Sequence, residues 1–327
     1  MSANTNTQKG GPDLSTSAAQ ASGAPAYVKK SKGGPDRHPL APWMFLAPYL
    51  VYAAVFFAYP LLYAAWLAFH QTDGPQAAVF VGLGNFKFVF TDPRFYKALT
   101  NTTIYAIASI CIQLPIALGL AMLLNNSNSK MKGAFRLMIF SPNLVGQIFV
   151  GVMFAVIFTP HYGLFNKGLD ALIGWGLEEQ WLQNPDLLLP ALIIISLWMY
   201  VGYNMIYFLA GLQSVDKQLI EAAQIDGASP WQTFLHITIP QIKPIAIFVV
   251  IMSTIGSYQL FDLPFALMKG QGFGPGDSAL TIVGYLYDWG FNVGDLGTAA
   301  AIGWVLAVII FTISIFQIKV TRAYDVD

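Results

Sequence analysis

Charged residues are scarce in this sequence of 327 residues, where they make up 10% of the chain against 55% hydrophobic residues. A soluble domain carries about 25% charged residues, so the composition excludes an ordinary soluble protein. The mean hydropathy of +0.55 indicates an integral membrane protein. The 17 basic and 17 acidic residues cancel, and no basic stripe suggests a nucleic-acid partner.

Cysteine and histidine are also rare. The one cysteine, Cys111, lies in an apolar stretch, and a single thiol excludes an internal disulfide. The four histidines lack the spacing of metal ligands, so we expect no metal site. The G-x-x-x-x-G-K-[ST] pattern of an ATP-binding loop is absent, so ATP hydrolysis would have to come from another polypeptide.

The first 40 residues differ in kind from the rest. They are rich in Ser, Ala, Gly, Thr, Gln and Pro, and their positive charge lies near the end. Such a composition predicts a disordered cytoplasmic tail over residues 1–40. We expect no signal peptide, because no early apolar stretch precedes a small-residue cleavage site. Residues 41–327 are predicted to form one membrane domain.

Six apolar stretches are each long enough to cross a bilayer, which takes about 20 helical residues. Unpaired backbone groups are costly in lipid, so each stretch is predicted to be helical and the fold to be all-α. Four prolines inside three of these stretches are expected to kink or interrupt them: Pro48, Pro60, Pro115 and Pro264. The stretches cover residues 43–69, 102–124, 137–158, 187–212, 244–268 and 296–320.

The basic residues predict the orientation of these spans. With the N-terminus inside, 12 of the 17 Lys and Arg residues fall on cytoplasmic segments. Cytoplasmic loops carry such an excess, so both termini and the segment 214–243 are predicted to face the cytoplasm.

Small residues four positions apart mark the start of the sixth span, where Gly297 pairs with Ala301 and Ala299 with Gly303. Such pairs let helix backbones approach closely in lipid. Ordinary packing within the chain is the favoured interpretation, and an interface with another subunit is the alternative.

The polar segment 214–243 carries signals for a helix–turn–helix. Asp216 can cap a first short helix, Gly227 allows a turn, and Ser229 before Pro230 can start a second helix. Two prolines are expected to stop that helix before the fifth span: Pro240 and Pro244. From composition alone, an amphipathic connector resting on lipid headgroups is an equal alternative.

This segment resembles the EAA loop of ABC importer permeases of the binding-protein-dependent, maltose-transporter-like sugar type. Further matches to those permeases, such as residues 80–86 and 101–102, extend the resemblance to about 280 residues. The turn at 269–275 departs from the family pattern because it is looser. The resemblance implies that the first loop helix docks in a cleft of an ATPase subunit through Glu221, Ala222, Ala223, Asp226, Gly227 and Pro240.

The resemblance also implies a fold and a set of partners. The fold would be the six-helix type I permease fold in a bacterial or archaeal cell membrane. The partners would be two ATP-binding subunits that hold ATP and Mg, a second and non-identical permease, and an extracellular sugar-binding protein. The chain itself would translocate substrate, would not be an enzyme, and would bind no cofactor.

Polar side chains inside spans are the default functional candidates in a membrane protein. In the fourth span Ser196, Tyr200 and Tyr203 form one stripe, with Asn204 beside it. Hydroxyls, amides and aromatic rings suit a neutral sugar. These hydroxyls could also bond back to their own helix, which is the ordinary alternative for Ser and Thr.

The fifth span offers two polar faces. Ser253 and Ser257 share one face, whereas Gln259 and Asp262 are predicted to lie on another, so both faces cannot line one pathway. We assign Ser253 and Ser257 to the substrate path, because the resemblance implies that the fourth and fifth spans contact sugar. Asp262 would then cap a broken helix near Pro264 or face the partner permease.

Three other functions compete with an oligosaccharide importer. An ion-coupled secondary transporter would be expected to carry intramembrane carboxylates or repeated halves, and the sequence offers Asp262 alone. An intramembrane enzyme would need a nucleophile and base within the spans. The same permease fold could also serve glycerol phosphate or polyamine, although an anion would favour a Lys or Arg in mid-span.

Overall fold

The structure is a computed structural model that describes residues 41–73, 78–126, 130–174 and 179–323. The predicted disordered tail, residues 1–40, lies outside the described residues. The chain divides into two compact units, residues 1–57 and residues 58–327. In the first unit the described residues are helical, and none of the side chains described over residues 43–57 is buried.

Helices dominate the described residues, with one antiparallel hairpin in which Gln71 of β1 (His70–Thr72) lies opposite Val79 of β2 (Ala78–Phe80). The α-helices are α1 (Ala41–Ala53), α2 (Tyr59–Leu67), α3 (Gly84–Thr91), α4 (Pro93–Ala108), α5 (Leu114–Asn126), α6 (Lys132–Phe140), α7 (Gln147–Ile157), α8 (Leu164–Ile173), α9 (Pro185–Gln213), α10 (Lys217–Ile225), α11 (Pro230–Thr233), α12 (Ile239–Tyr258), α13 (Asp262–Leu267), α14 (Ile282–Tyr287) and α15 (Leu296–Ala323).

Several of these helices join into runs that are long and apolar enough to cross a membrane. A sixth candidate span is a pair of helical segments that meet at 94°. The predicted all-α membrane fold is therefore confirmed, with up to six spans in the described residues. The continuous runs are Trp43–Leu67, Pro93–Asn125, Pro185–Gln213, Pro230–Tyr258 and Leu296–Thr321, and the bent pair is Lys132–Leu144 with Gln147–Ile157.

Three prolines inside the long runs do not interrupt them. Each follows a π-helical turn by two residues, and this wider turn accommodates a residue that has no N–H and whose ring would clash in a regular helix. Pro60 and Pro115 were expected to kink or interrupt their spans. The helix instead widens locally before each of them and continues. The pairs are Ala54–Ala58 before Pro60, Ser109–Gln113 before Pro115 and Phe234–Thr238 before Pro240.

The third span, predicted as one helix over residues 137–158, is broken in its middle. A 3₁₀ turn over Ser141–Leu144 ends α6, and Val145 and Gly146 adopt extended conformations with ψ of 130° and 140°. Pro142 cannot donate a helical hydrogen bond, so the helix is not continued at this point. The prediction of one continuous helix over residues 137–158 is wrong.

The fifth span also differs from its prediction. Pro240 and Pro244 do not stop the second loop helix, which continues to Tyr258. The π turn Phe234–Thr238 before Pro240 accommodates that proline. The helix ends there, and Phe261, with φ −145° and ψ −53°, separates it from α13. The run therefore begins at Pro230, 14 residues before 244, and ends at Tyr258, ten residues before the predicted 268.

Helix α9 lies in the core and buries residues along most of its length. Gly202 allows its close approach to α6, because a Cβ there would lie 1.9 Å from the Ile139 carbonyl oxygen. At the start of α15, a Cβ on Gly297 would lie 1.7 Å from the His70 carbonyl oxygen, and Ala301 is fully buried. The small residues of the sixth span thus pack within the chain, and the subunit-interface interpretation is wrong for them.

Candidate functional site

A cavity of about 370 Å³ lies among the second to fifth candidate spans. Four helical segments contribute to its wall, and hydroxyl, amide and aromatic side chains predominate. A polar cavity inside a set of apolar helices is a functional candidate, because polar groups are costly in a bilayer unless they serve binding or passage.

Helix α9 supplies one wall of the cavity. Tyr200, Tyr203 and Asn204 line it, as the stripe along the fourth span predicts, and Tyr207 joins them. The hydroxyls of Tyr203 and Tyr207 are 2.9 Å apart, and their rings pack edge to face. Ser196 does not line the cavity, because it is buried and donates to the carbonyl of Ile193 at 2.8 Å. The assignment of Ser196 to the substrate path is therefore wrong. Its hydroxyl bonds to its own helix, which is the ordinary alternative for Ser in a membrane helix.

The end of α12 and the segment after it supply a second wall. Ser253, Gly256 and Ser257 line the cavity from the helix, in agreement with the face chosen for the substrate path. Gln259 and Asp262 also line it. The expectation that these two faces point apart is wrong, because the helix ends at Tyr258 and the chain then turns back toward the cavity.

Two further parts of the wall were missed by the sequence reasoning. Tyr105, Ser109 and Gln113 come from the second span, and Asn143 and Gln147 flank the break in the third. The first three residues recur at intervals of four, a helical-face pattern that the sequence displays and that could have identified them. The other two could not be placed without knowing that the third span is broken.

The cavity has little charge. Among the described residues that line it, Asp262 is the one charged side chain. No Lys or Arg is among them, so an anionic solute would meet a carboxylate without a compensating cation. The site therefore suits a neutral, hydroxyl-rich solute that can exchange hydrogen bonds and contact aromatic rings.

The first loop helix forms as predicted. The Asp216 side chain caps α10 by accepting from the Gln218 backbone N–H at 2.9 Å. At its other end Gly227 has φ +82°, a left-handed conformation that favours glycine. The N–H groups of Gly227 and Ala228 donate to the carbonyls of Gln224 and Ala223, which completes a Schellman end to the helix.

The second loop helix also begins where predicted. Ser229 forms a capping box with Gln232, followed by Pro230 in the first turn. Pro240 lies near the start of α12, and the neighbouring Gln241 side chain accepts from the Asp216 backbone N–H at 3.0 Å. This bond ties the start of α10 to the helix that enters the fifth span.

The loop presents an exposed surface. Glu221, Ala222, Asp226 and Gly227 are exposed, and Ala223 is half-buried. Three large apolar side chains of the same loop are also exposed: Leu219 at 49%, Ile225 at 86% and Trp231 at 65%. Exposed large apolar side chains concentrated in one short segment are a feature of interaction sites.

At the opposite ends of the spans, an ion-pair cluster fixes the glycine-rich turn that the sequence left undefined. Arg94 pairs with Asp277 at 2.9 Å and with Asp288 at 2.8 Å. Asn101 donates to the carbonyls of Asp277 and Leu280, each at 3.0 Å. The turn takes positive φ at four of its glycines and at two other residues: Gly270, Gly272, Gly274, Gly276, Lys269 and Asp277.

Another contact in this region joins Tyr285 to the Asp92 carboxylate, to which its hydroxyl donates. Burial, together with that carboxylate, raises the pKa of the Tyr285 phenol above its ordinary value. The phenol therefore stays neutral and remains a donor at physiological pH.

A helical membrane chain with a polar cavity among its spans and a helix–turn–helix loop at one end has the features of a transport permease. Residues 113–324 match the family described as binding-protein-dependent transport system inner membrane component. The match covers more than half of the chain, so this protein belongs to that family.

Two relatives illustrate the similarity. The arabinooligosaccharides transport system permease AraP of Bacillus subtilis is 35% identical over 284 residues, which cover 87% of this chain and 89% of AraP. The lactose transport system permease LacF of Rhizobium radiobacter is 36% identical over 281 residues, which cover 86% of this chain and 93% of LacF. The predicted membership in the ABC importer permeases is confirmed, as is the predicted location in the cell membrane.

A solved structure shares the fold. A chain of a bacterial ABC transporter that imports the acidic polysaccharide alginate superposes with a TM-score of 0.74 and 23% identity. The superposition covers 87% of this chain and 96% of that chain. The type I permease fold predicted from the resemblance is therefore confirmed.

Proposed function

We propose that this chain is the permease subunit of an ABC importer that moves a sugar, specifically an oligosaccharide, into the cell. The observation that carries this proposal is the cavity, whose wall combines Tyr200, Tyr203 and Asn204 with the serines of α12 and a single charge. Its chemistry matches the neutral hydroxyl-rich solutes named for AraP and LacF. Direct contact of these residues with sugar is part of the proposal.

The energy would come from separate ATPase subunits, two per transporter, which bind ATP and Mg. We assign their docking to α10 and its turn, through Glu221, Ala222, Ala223, Asp226 and Gly227, with Pro240 at the base of the following helix. The exposure of Ile225 and Trp231 supports a protein partner at this surface rather than a lipid-facing connector alone.

A mechanical route connects this surface to the cavity. The Asp216–Gln241 hydrogen bond ties α10 to the helical run Pro230–Tyr258, whose far end carries Ser253 and Ser257. When ATP binding closes the ATPase pair, a displacement of α10 would be transmitted along this run and would change access to the cavity. Pro240 fits this role because the π turn before it keeps the run continuous.

The remaining partners follow from the orientation. The bias of Lys and Arg supports cytoplasmic termini and a cytoplasmic loop 214–243. The opposite side, with the Arg94 ion pairs, would receive an extracellular sugar-binding protein. A second, non-identical permease would complete the pathway across the membrane. The structure of the alginate importer bound to its periplasmic protein is a precedent for such an assembly in that protein.

Other solutes fit the cavity less well. Glycerol phosphate would place an anion near Asp262 with no Lys or Arg among the described lining residues. A polyamine carries several cations, and the described lining residues offer one carboxylate for them. Ion-coupled secondary transport fits less well, because the described residues of the cavity wall include one acidic group.

Affinity purification in mild detergent tests the assembly, with bound partners identified by mass spectrometry. Wild type should retain an ATPase subunit, a second permease and, with sugar present, a binding protein. Gly227→Asp should lose the ATPase subunit because it adds a side chain and a negative charge to the exposed turn at the end of α10. Gly227→Asn is the matched control, since Asn has the same shape and the same tolerance of the left-handed region but no charge. Retention of the ATPase by Gly227→Asp would contradict the docking assignment.

A further inference from the structure

One residue of the cavity wall is left without a hydrogen-bond partner among the described residues. Gln113 is 3% exposed, and its side-chain nitrogen Nε2 is buried with no acceptor in the described part of the chain. A buried amide N–H that lacks a partner costs free energy, so native proteins rarely leave one unless a ligand or water completes it. Of the unpaired buried side-chain atoms found in the described residues, this is the one on a residue that lines the cavity.

The local helix geometry keeps Gln113 on the cavity side. In a regular α-helix, residues four apart drift by about 40° per step, since a turn holds 3.6 residues. The π turn Ser109–Gln113 contains more residues per turn and reduces that drift. Gln113 therefore stays on the face of Tyr105 and Ser109, which line the same cavity and are also buried. Wide turns of this kind are frequent at functional sites.

Gln113 lies at the end of the cavity that is nearer the loop. The second span runs from Tyr105 through Gln113 toward Asn125, and Asn125 shares a small pocket with Ile220 and Gln224 of α10. From Tyr105 to Gln113 the helix rises about 12 Å, at 1.5 Å per residue. The wall is therefore longer than a single sugar ring, and its two ends can contact different units of a chain.

From these observations we infer that the Gln113 side-chain amide forms an inner subsite, donating a hydrogen bond to an oxygen of a second sugar unit. This inference rests on the proposed function and deepens it, because it assigns the substrate class to solutes of at least two units. Tyr207 and Phe248 line the cavity too and provide aromatic surface for that unit. The amide donates to a hydroxyl, ring or glycosidic oxygen, all of which are neutral acceptors.

Cysteine labelling tests this placement in the complete transporter reconstituted in proteoliposomes. The chain holds a single cysteine, so Cys111→Ser provides a background in which Gln113→Cys is the one thiol of this subunit. The probe sugar is the one that wild type takes up fastest among arabino-oligosaccharides, malto-oligosaccharides and lactose. Lys87→Cys is the control, because Lys87 is exposed, so its thiol can be labelled, but it does not line the cavity.

Saturating probe sugar should slow labelling of Gln113→Cys about fivefold or more, since pockets bury most of a bound ligand's surface. It should leave labelling of Lys87→Cys unchanged. Equal labelling of Gln113→Cys with and without a transported sugar would overturn the inference, as would a complete failure of Gln113→Cys to label. Either result would leave the proposed function intact.

Uptake provides a second and independent readout. Gln113→Met keeps the length of the side chain and removes its amide, so sugar uptake should fall about three- to tenfold. ATP hydrolysis stimulated by the loaded binding protein should persist, and Gln113→Asn should recover part of the uptake. Wild-type uptake by Gln113→Met would refute the subsite. Failure of wild type to take up any sugar of the panel would instead refute the proposed function.

Discussion

The close backbone approach between α9 and α6 at Gly202, which directly precedes the cavity-lining Tyr203 and Asn204, gives a sharp prediction for Gly202→Ala. The added Cβ would lie 1.9 Å from the Ile139 carbonyl oxygen and 2.9 Å from the Phe140 Cα, whereas real Cβ atoms keep at least 3.0 Å. The obstacle is backbone, which cannot rotate away as a side chain can. The two helices must therefore separate by about 1 Å, and Tyr203 and Asn204 move with α9.

Two opposing terms decide the size of the effect. Alanine in place of glycine favours the helix by about 1 kcal/mol. Overpacking a close contact costs about 1–3 kcal/mol and occasionally more, and a backbone clash belongs at the upper end of that range. The net loss should be about 2 kcal/mol, so Gly202→Ala should lower the melting temperature of the purified transporter and reduce uptake.

Gly119→Ala is the matched control for this prediction. Gly119 also lies inside a membrane-spanning run, in α5, but a Cβ there would meet nothing within 4 Å. It should melt at or slightly above the wild-type temperature because the helix-propensity term acts alone. If Gly202→Ala melts like Gly119→Ala and transports normally, the close approach of α9 and α6 is wrong.

Three further predictions concern the two ends of the molecule and the cavity. Gly227→Asp should abolish ATP-driven uptake while leaving the protein in the membrane, measured as uptake per inserted protein; normal uptake would exclude docking at this turn. Tyr203→Ala combined with Ser257→Ala should lower sugar uptake while co-purification of partners stays normal; unchanged uptake at all sugar concentrations would mean that these cavity residues do not contact substrate. Arg94→Leu should leave Asp277 without its ion-pair partner and lower the melting temperature. The loss should be smaller at high salt, because salt already screens partly exposed ion pairs in the wild type. A loss that does not depend on salt would point to packing instead.

The helix caps and the turn of the loop could be predicted from the sequence. Asp216 and Ser229 are N-caps whose side-chain oxygens satisfy free backbone N–H groups, and Gly227 takes the one conformation that most residues avoid. These effects act over three or four residues, so a local pattern is enough to predict them. The prolines were harder to interpret. Pro240 is accommodated by a π turn, and no local pattern distinguishes a widened helix from an ended one.

For the cavity, the sequence predicted the lining residues that lie within regular helix but not those near helix ends and breaks. Tyr200, Tyr203, Ser253 and Ser257 lie within regular helix, where a constant periodicity gives the face. Asp262 and the residues near the break in the third span depend on where a helix ends and how the chain turns. Those turns are set by contacts between distant segments, which a single sequence does not display.

The proposed function requires sugar to move through the cavity with energy from ATP bound by a partner on the loop side. Uptake of labelled oligosaccharides should be measured in proteoliposomes that contain the purified complex, with binding protein outside and ATP inside. Accumulation should require internal ATP and the binding protein, and it should stop in Gly227→Asp. Accumulation driven by an ion gradient without ATP, or no sugar uptake by an intact complex that hydrolyses ATP, would contradict it.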